Sequence, residues 1–157
     1  MASNQIIKTM NRLIRAATIE DVVAMRLILE STDHAWNIDI LLDCFNDHYL
    51  HWIIELNQKI IGFSVVRTSS QIWEIMFIAI HADYQKKSYG TQLLKYLINA
   101  AKLAKIQSLE LEVKRSNQAA IALYQKLHFQ QVGVRKNYYL QKNGREDAIL
   151  FDLALKA

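Results

Sequence analysis

The sequence contains no proline, four glycines and a single cysteine in 157 residues, and each shortage excludes something. Without proline or serine-rich tracts, repeats or low-complexity runs, nothing marks a linker between domains. Cys44 cannot close an internal disulfide, and no CxxC or Cys/His cluster with zinc spacing occurs, so neither an oxidising compartment nor a structural metal is called for. Cys44 reads as a small buried hydrophobe. His34, His48, His51 and His81 lack the mutual spacing of a metal site, and no metal is expected. No window approaches the run of about 18 apolar residues that a membrane span needs, and the leading MASNQIIKTMNRLIRAAT lacks the apolar core of a signal peptide. The expectation is a soluble, cytoplasmic protein with no membrane partner.

Hydrophobic residues make up 52% of the chain, enough for one domain across residues 1–157 to bury a core unaided. The net charge of +4 is modest but unevenly spread. Between Tyr84 and Leu109 stand Lys86, Lys87, Lys95, Lys102 and Lys105 with no acid among them. Lys95, Lys102 and Lys105 fit the solvated face of an amphipathic helix. Lys86 and Lys87 lie ahead of that helix, where they favour an anion. No basic stripe interleaved with aromatics is present, so direct nucleic-acid binding is not expected.

Periodicity sets out the elements. A short strand near Arg12 to Ala16 precedes a helix capped by Thr18 and running to about Glu30, with Val22, Val23, Met25, Ile28 and Leu29 as its apolar stripe. A second helix covers about Ile38 to Asn46. LHWIIEL and IIGFSVVRT form a hairpin around Asn57-Gln58-Lys59. IWEIMFIAI is too apolar to be half exposed and belongs at the centre of the sheet. Leu93, Leu94, Leu97, Ile98, Ala101 and Ala104 make the apolar face of a third helix. The strand SLELEVK follows, then a helix from Asn117 to about Lys126 capped by Ser116. Two strands close the chain, about Gln130 to Lys136 and Asp147 to Leu155, separated by a polar loop containing Asn143-Gly144. This order gives an α/β fold, a mixed sheet of seven strands with four helices on its two faces.

The stretch YQKKSYGT follows the central strand and opens the third helix. A helix start there offers free backbone N–H groups and the positive end of the helix dipole, both favourable to phosphate. Gly90 allows close approach of an anion. The spacing is neither a GxxxxGK[ST] loop nor a GxGxxG.

Asp83 to Gly90 resembles the acetyl-coenzyme A loop of the GCN5-related N-acetyltransferases (GNAT), patterned Q/R-x-x-G-x-G/A. Gln85 and Gly90 match, and Ser88 stands where the first glycine is expected. LEVKRSNQAAIALYQKLHF and VRKNYYLQKNGREDAI are similar to the RimI-like, ribosomal-protein-alanine branch. The likeness covers essentially the whole chain and is strongest from about Phe77 to Ala148. It implies the GNAT fold, with a mostly antiparallel central sheet, and acetyl-CoA as cosubstrate. It also implies transfer to a protein N-terminal α-amine, the alanine of a small-subunit ribosomal protein. Cofactor contacts fall on Ile78, Ala79 and Ile80, on Gln85 and Lys86, Lys87, Ser88, Tyr89, Gly90 and Thr91, and on Asn117 and Tyr124. The general base falls on Glu112 and the general acid on Tyr124, while Tyr138 and Tyr139 become candidate walls for the acceptor peptide.

The residues can be read against these roles. Alternation in SLELEVK sets Glu110 and Glu112 on the face opposite Leu109, Leu111 and Val113. With helices on both sides, a glutamate leaving a central strand must meet a cleft or a partner. Asn117 and Tyr124 are two helical turns apart and share a face. An amine must be neutral to attack a thioester, the developing oxyanion needs a donor, and the departing thiolate benefits from a proton. An α-amine near pKa ~7.8 is easier to neutralise at pH 7 than a lysine near ~10.4, by roughly 3.5 kcal/mol, which suits a single glutamate acting through water.

Three departures from the family pattern stand out. Ser88 lacks glycine's freedom at positive φ, His128 replaces a glycine after the fourth helix, and Ala35-Trp36-Asn37-Ile38 replaces a Phe-Pro-Trp element that helps shape the acceptor site. Two other readings fit the same chain: acetylation of a small amine such as a polyamine or drug, and a non-catalytic module that binds acetyl-CoA.

Overall fold

The computed structural model describes residues 11–32, 36–141 and 144–155, so His34, Ala35 and Asn143 lie outside the described residues. Seven strands and four α-helices alternate in the expected order: β1 (Arg12–Ala16), α1 (Val22–Ser31), α2 (Ile38–Asp43), β2 (Tyr49–Leu56), β3 (Lys59–Thr68), β4 (Ile72–Ile80), α3 (Tyr89–Leu103), β5 (Ser108–Lys114), α4 (Gln118–Lys126), β6 (Gln130–Gln141) and β7 (Gly144–Ala154). The strands form one sheet in the order β1-β2-β3-β4-β5-β7-β6. Every pairing is antiparallel except β4 with β5. No helix among the described residues is long and apolar enough to cross a membrane.

Two cores sandwich the sheet. On one face Met25, Ile28 and Leu29 of α1 and Leu41 of α2 pack on Ile53, Phe63 and Val65. On the other, Leu94, Leu97 and Ala101 of α3 and Tyr124 of α4 pack on Trp73, Ile75, Leu109, Leu111, Val113, Ile149 and Phe151. Leu94, Leu97 and Leu109 are wholly buried, each contributing roughly 1.5–3 kcal/mol by leaving water. Lys95 and Lys102 remain exposed on the far side of α3, as its amphipathic pattern requires, whereas Lys105 and Ala104, the latter read as part of the apolar face, are exposed just past the helix end.

The elements depart from the sequence reading at their ends. A 3-10 turn, Ile19–Asp21, precedes α1, and the Asp21 carboxylate accepts from the Thr18 N–H at 2.8 Å. Val23, read as part of the buried stripe, is 72% exposed. α2 stops at Asp43, and Asn37 caps it by accepting from the Ile40 N–H at 3.0 Å. Only Asn57 and Gln58 remain in the first hairpin's turn, both at positive φ (50° and 69°), as a tight two-residue turn requires. The cap of α4 is Asn117, not Ser116: its Oδ1 accepts from the Ala120 N–H at 3.2 Å. β6 and β7 run well past their expected limits, so Asn137 to Gln141, assigned to a loop, belong to a strand. β6 is the sheet's outer edge and is exposed along most of its length, Tyr138 and Leu140 included.

Two irregularities shape the middle of the sheet. Val65 pairs with Phe77 and Val66 with Ile75, leaving Met76 as an extra residue that bulges β4. Parallel pairing of β4 with β5 reaches only Ile75 and Leu111, after which the two strands diverge. IWEIMFIAI is therefore central, but Met76, Phe77, Ile78 and Ala79 are half-buried because they face the resulting opening. Gly62 beside them is sterically required. A Cβ there would lie 2.4 Å from Ile80 Cδ1 and 2.9 Å from the Ala79 carbonyl oxygen.

Candidate active site

The divergence of β4 and β5 opens a cavity of about 670 Å³. Its floor is Ile75 to Ile80 on one side and Leu111 to Lys114 on the other, with Asn117 and Tyr124 from α4. Ser31, Thr32, Trp36 and Tyr139 also line it. Beyond Ile75 the edge of β4 turned toward β5 has no strand partner among the described residues. Its backbone polar groups are therefore available to a ligand.

Glu112 sits one residue past the last residue of β5 that pairs with β4, whereas Glu110 is held opposite Glu74 within that ladder. This explains why only one of two glutamates on the same face reaches the cavity. Glu112 Oε1 lies 2.8 Å from Arg135 Nε, an ion pair made across the intervening strand β7. Sequence reasoning did not find Arg135, because nothing in a linear pattern brings β6 to β5 over β7.

Tyr124 is positioned by the way its helix ends. The His128 N–H donates to Gln125 O and the Phe129 N–H to Tyr124 O, both at 3.0 Å, and His128 takes φ 72°. This is a Schellman termination with histidine in the left-handed position that usually favours glycine. It folds Phe129 back onto the Tyr124 ring, with centroids 5.6 Å apart, while Phe151 lies 6.2 Å away. Tyr124 is 6% exposed. Burial, with a smaller contribution from nearby Tyr139, pushes its hydroxyl up to about 12. Tyr139 is likewise pushed up to about 12, by burial and then by the Glu112 carboxylate. Both are hydrogen-bond donors at neutral pH.

Asn117 spends its side-chain oxygen on the helix cap, so what it can offer a ligand is its amide N–H₂. Gln85 Nε2 donates to the Ile80 carbonyl at 2.9 Å and ties the loop to the end of β4. Lys86, Lys87, Ser88, Tyr89, Gly90 and Thr91 do not line the cavity. They lie beyond Gln85, at the start of α3. Ser88, where the family has glycine, adopts φ 67°, while Gly90 is helical and a Cβ there would meet only Ile80 Cγ1 at 3.7 Å. The conformational demand thus falls on Ser88 and on Lys86, which takes φ 62°, rather than on Gly90. Lys59 and Lys87 both approach the Tyr84 ring, at 5.4 and 6.0 Å.

The two tyrosines proposed as walls separate. Tyr139 lines the cavity, with Lys114 Nζ 5.6 Å from its ring centre. Tyr138 is 49% exposed and does not line it. Trp36, in the segment that departs from the family element, stacks on Phe77 at 4.8 Å and joins the wall. Among the described residues no group of histidine, cysteine or acidic side chains could hold a metal ion.

Comparison with known proteins gives a consistent result. The acetyltransferase (GNAT) family matches residues 14–129. The ribosomal protein bS18-alanine N-acetyltransferase of Escherichia coli is 34% identical over 129 residues, 81% of this chain and 87% of that one. The enzyme of the same name from Haemophilus influenzae is 37% identical over 116 residues, 73% and 79% of the two chains. Among solved structures, the ribosomal-protein-S18-alanine N-acetyltransferase from Escherichia coli superposes with a TM-score of 0.89 at 30% identity, covering 94% of this chain and 96% of that one. A GNAT family acetyltransferase from Elizabethkingia anophelis, solved with acetyl-CoA bound, gives 0.74 at 27% identity, covering 92% and 99%.

Proposed function

This chain belongs to the GNAT family of acetyltransferases and is an acetyl-CoA-dependent N-acetyltransferase of the RimI type; on that premise we propose that it acetylates a protein N-terminal α-amine, the alanine of a small-subunit ribosomal protein, with Glu112 as general base and Tyr124 as general acid. One observation carries the reading. Glu112 from β5 and Tyr124 from α4 line the same opening between β4 and β5, and the Gln85 loop closes its other end.

The residues fit the cosubstrate. The unpaired edge of β4 suits an amide-rich pantetheine arm, and the free N–H groups at the start of α3, with Lys86 and Lys87 beside them, suit its phosphates. Acetyl-CoA supplies the activated acetyl group. The chain's own groups do the rest. Backbone amides at Met76 to Ile80 can donate to the developing oxyanion. Glu112 takes the proton of the attacking amine through water, and Tyr124 donates to the departing sulfur. Asn117 offers its amide N–H₂ to the cosubstrate. The acceptor enters between Trp36 and Tyr139, where two aromatic walls accept an extended peptide end.

Small polyamines are a poorer match. The charged side chains lining the cavity are Glu112 and Lys114, so a polycation would meet one carboxylate and one opposing ammonium. A single glutamate suits the α-amine, which needs the smaller pKa adjustment. Glu112→Gln tests the base assignment: turnover should fall while acetyl-CoA affinity, measured by calorimetry, stays the same. Equal loss of both would remove Glu112 from that role. A panel of free-N-terminus peptides set against polyamines tests the acceptor class.

A further inference from the structure

We propose that Arg135, backed by Tyr138, is a positioning residue that holds the Glu112 carboxylate in its working orientation. The inference rests on the assignment of Glu112 as base and adds a residue to which the resemblance assigned no role. Three observations carry it.

The first is the ion pair, Arg135 Nε to Glu112 Oε1 at 2.8 Å. A glutamate carries several rotatable bonds and loses rotamer freedom when held, yet a general base must stay within hydrogen-bond reach of its proton or of the relaying water. Arg135 meets one carboxylate oxygen, so the restraint it supplies is an ion pair that holds the charged end of Glu112 in place.

The second is the support behind Arg135. Its guanidinium carbon lies 5.5 Å from the Tyr138 ring centre, and Tyr138 meets Tyr139 edge-on at 5.1 Å. Tyr138 therefore reaches the site through Arg135 rather than by touching the acceptor.

The third is the backbone that delivers them. Regular pairing of β6 with β7 breaks between Arg135 and Tyr139, where Asn137 takes φ 56°. Asp147 Oδ1 accepts from the Asn137 N–H at 2.9 Å, and its Oδ2 lies 3.3 Å from both Nε and Nη2 of Arg115. This bulge lets residues close in sequence serve both purposes, Arg135 toward Glu112 and Tyr139 into the cavity.

The test compares wild type, R135A, R135K, E112Q and the R135A/E112Q double variant, with a free-N-terminus peptide as acceptor. R135A should lower kcat about 10- to 100-fold, the cost of a misdirected catalytic group, with acetyl-CoA affinity and thermal midpoint unchanged. R135K, which keeps the charge but places it on a shorter, differently shaped head group, should be intermediate. Added guanidinium ion should restore part of the R135A loss. In the E112Q background the R135A substitution should cost nothing further, because it acts through a group already removed. Y138A should reproduce a small part of the defect, about 2- to 5-fold, while Y138F should not. R135A as fast as wild type or faster would overturn the proposal, since Arg135 would then be idle or a competitor of the incoming amine. An equal further loss in the double variant would also overturn it. Should R135A fail to fold, R135K and Y138A read the same quantity. E112Q with full turnover would remove the base assignment itself, whereas a defective E112Q beside a fully active R135K and Y138A would remove only Arg135.

Discussion

Replacing Tyr124 with phenylalanine tests how the leaving sulfur is stabilised. The hydroxyl titrates at about 12 in its buried position, against roughly 8.5 for a free thiol. Complete proton transfer to a departing thiolate would then be uphill by about 5 kcal/mol, at roughly 1.4 kcal/mol per pK unit. A hydrogen bond that strengthens as charge gathers on sulfur avoids that cost. Such a bond to a charged acceptor contributes about 1.5–3 kcal/mol, so Y124F should lower kcat about 10- to 150-fold. The ring contacts with Phe129 and Phe151 survive the substitution, so the thermal midpoint should hold. Steady-state release of free thiol at saturating acetyl-CoA and peptide reads the effect. Because the hydroxyl stays protonated well beyond neutrality, Tyr124 should contribute no alkaline limb to the rate profile below about pH 10. A loss under about twofold, or an alkaline limb near pH ~8.5 that disappears in Y124F, would refute this reasoning.

Other consequences follow from the same geometry. Gly62→Ala drives a Cβ against the Ala79 carbonyl and Ile80, and should cost about 1–3 kcal/mol in denaturant unfolding; an unchanged midpoint would contradict the close approach. Ser88→Gly removes left-handed strain at φ 67° but loosens the unfolded chain, for a net gain of about 0.5–1 kcal/mol, read by thermal melting. Burial pushes Tyr124 up to about 12 from an ordinary 10.0, so its share of stability is complete below pH 10 and lost as pH rises toward 12; roughly 3 kcal/mol is at stake, and Y124F should show a correspondingly smaller alkaline loss. Asn117→Ala should cost about 1 kcal/mol through the lost α4 cap and also weaken acetyl-CoA binding; a stability loss with unchanged affinity would confine Asn117 to the cap.

Much of this architecture was legible in the sequence, and the reasons differ by element. Strong periods exposed α3 and β5, because each buries one regular face, while the hairpin of β2 and β3 was marked by two strand-like runs around a short polar turn, β3 being buried on both faces. Asn117 and Tyr124 came from the family resemblance, and their seven-residue spacing agreed that they share a face. The bulge at Met76 was not, since an extra residue inside IWEIMFIAI leaves an apolar run apolar. Nor was the full length of β6 and β7, because residues 137–141 lie on an exposed edge strand and show no clean alternation of apolar and polar positions. The pairing of Arg135 with Glu112 depends on strand order, β7 lying between them, and order across a sheet is not written in local pattern. Ser88 shows the reverse case. The departure from glycine was visible in the sequence, and the backbone there does take the left-handed conformation that glycine favours.

Acetyl transfer to two short peptides, followed by intact mass, tests the central claim most directly. One peptide begins with a free alanine; the other is blocked at its N-terminus and carries an internal lysine. The account predicts a single added acetyl group on the free-alanine peptide and none on the blocked one. Modification of the blocked peptide at lysine, or of neither peptide while acetyl-CoA still binds, would contradict it.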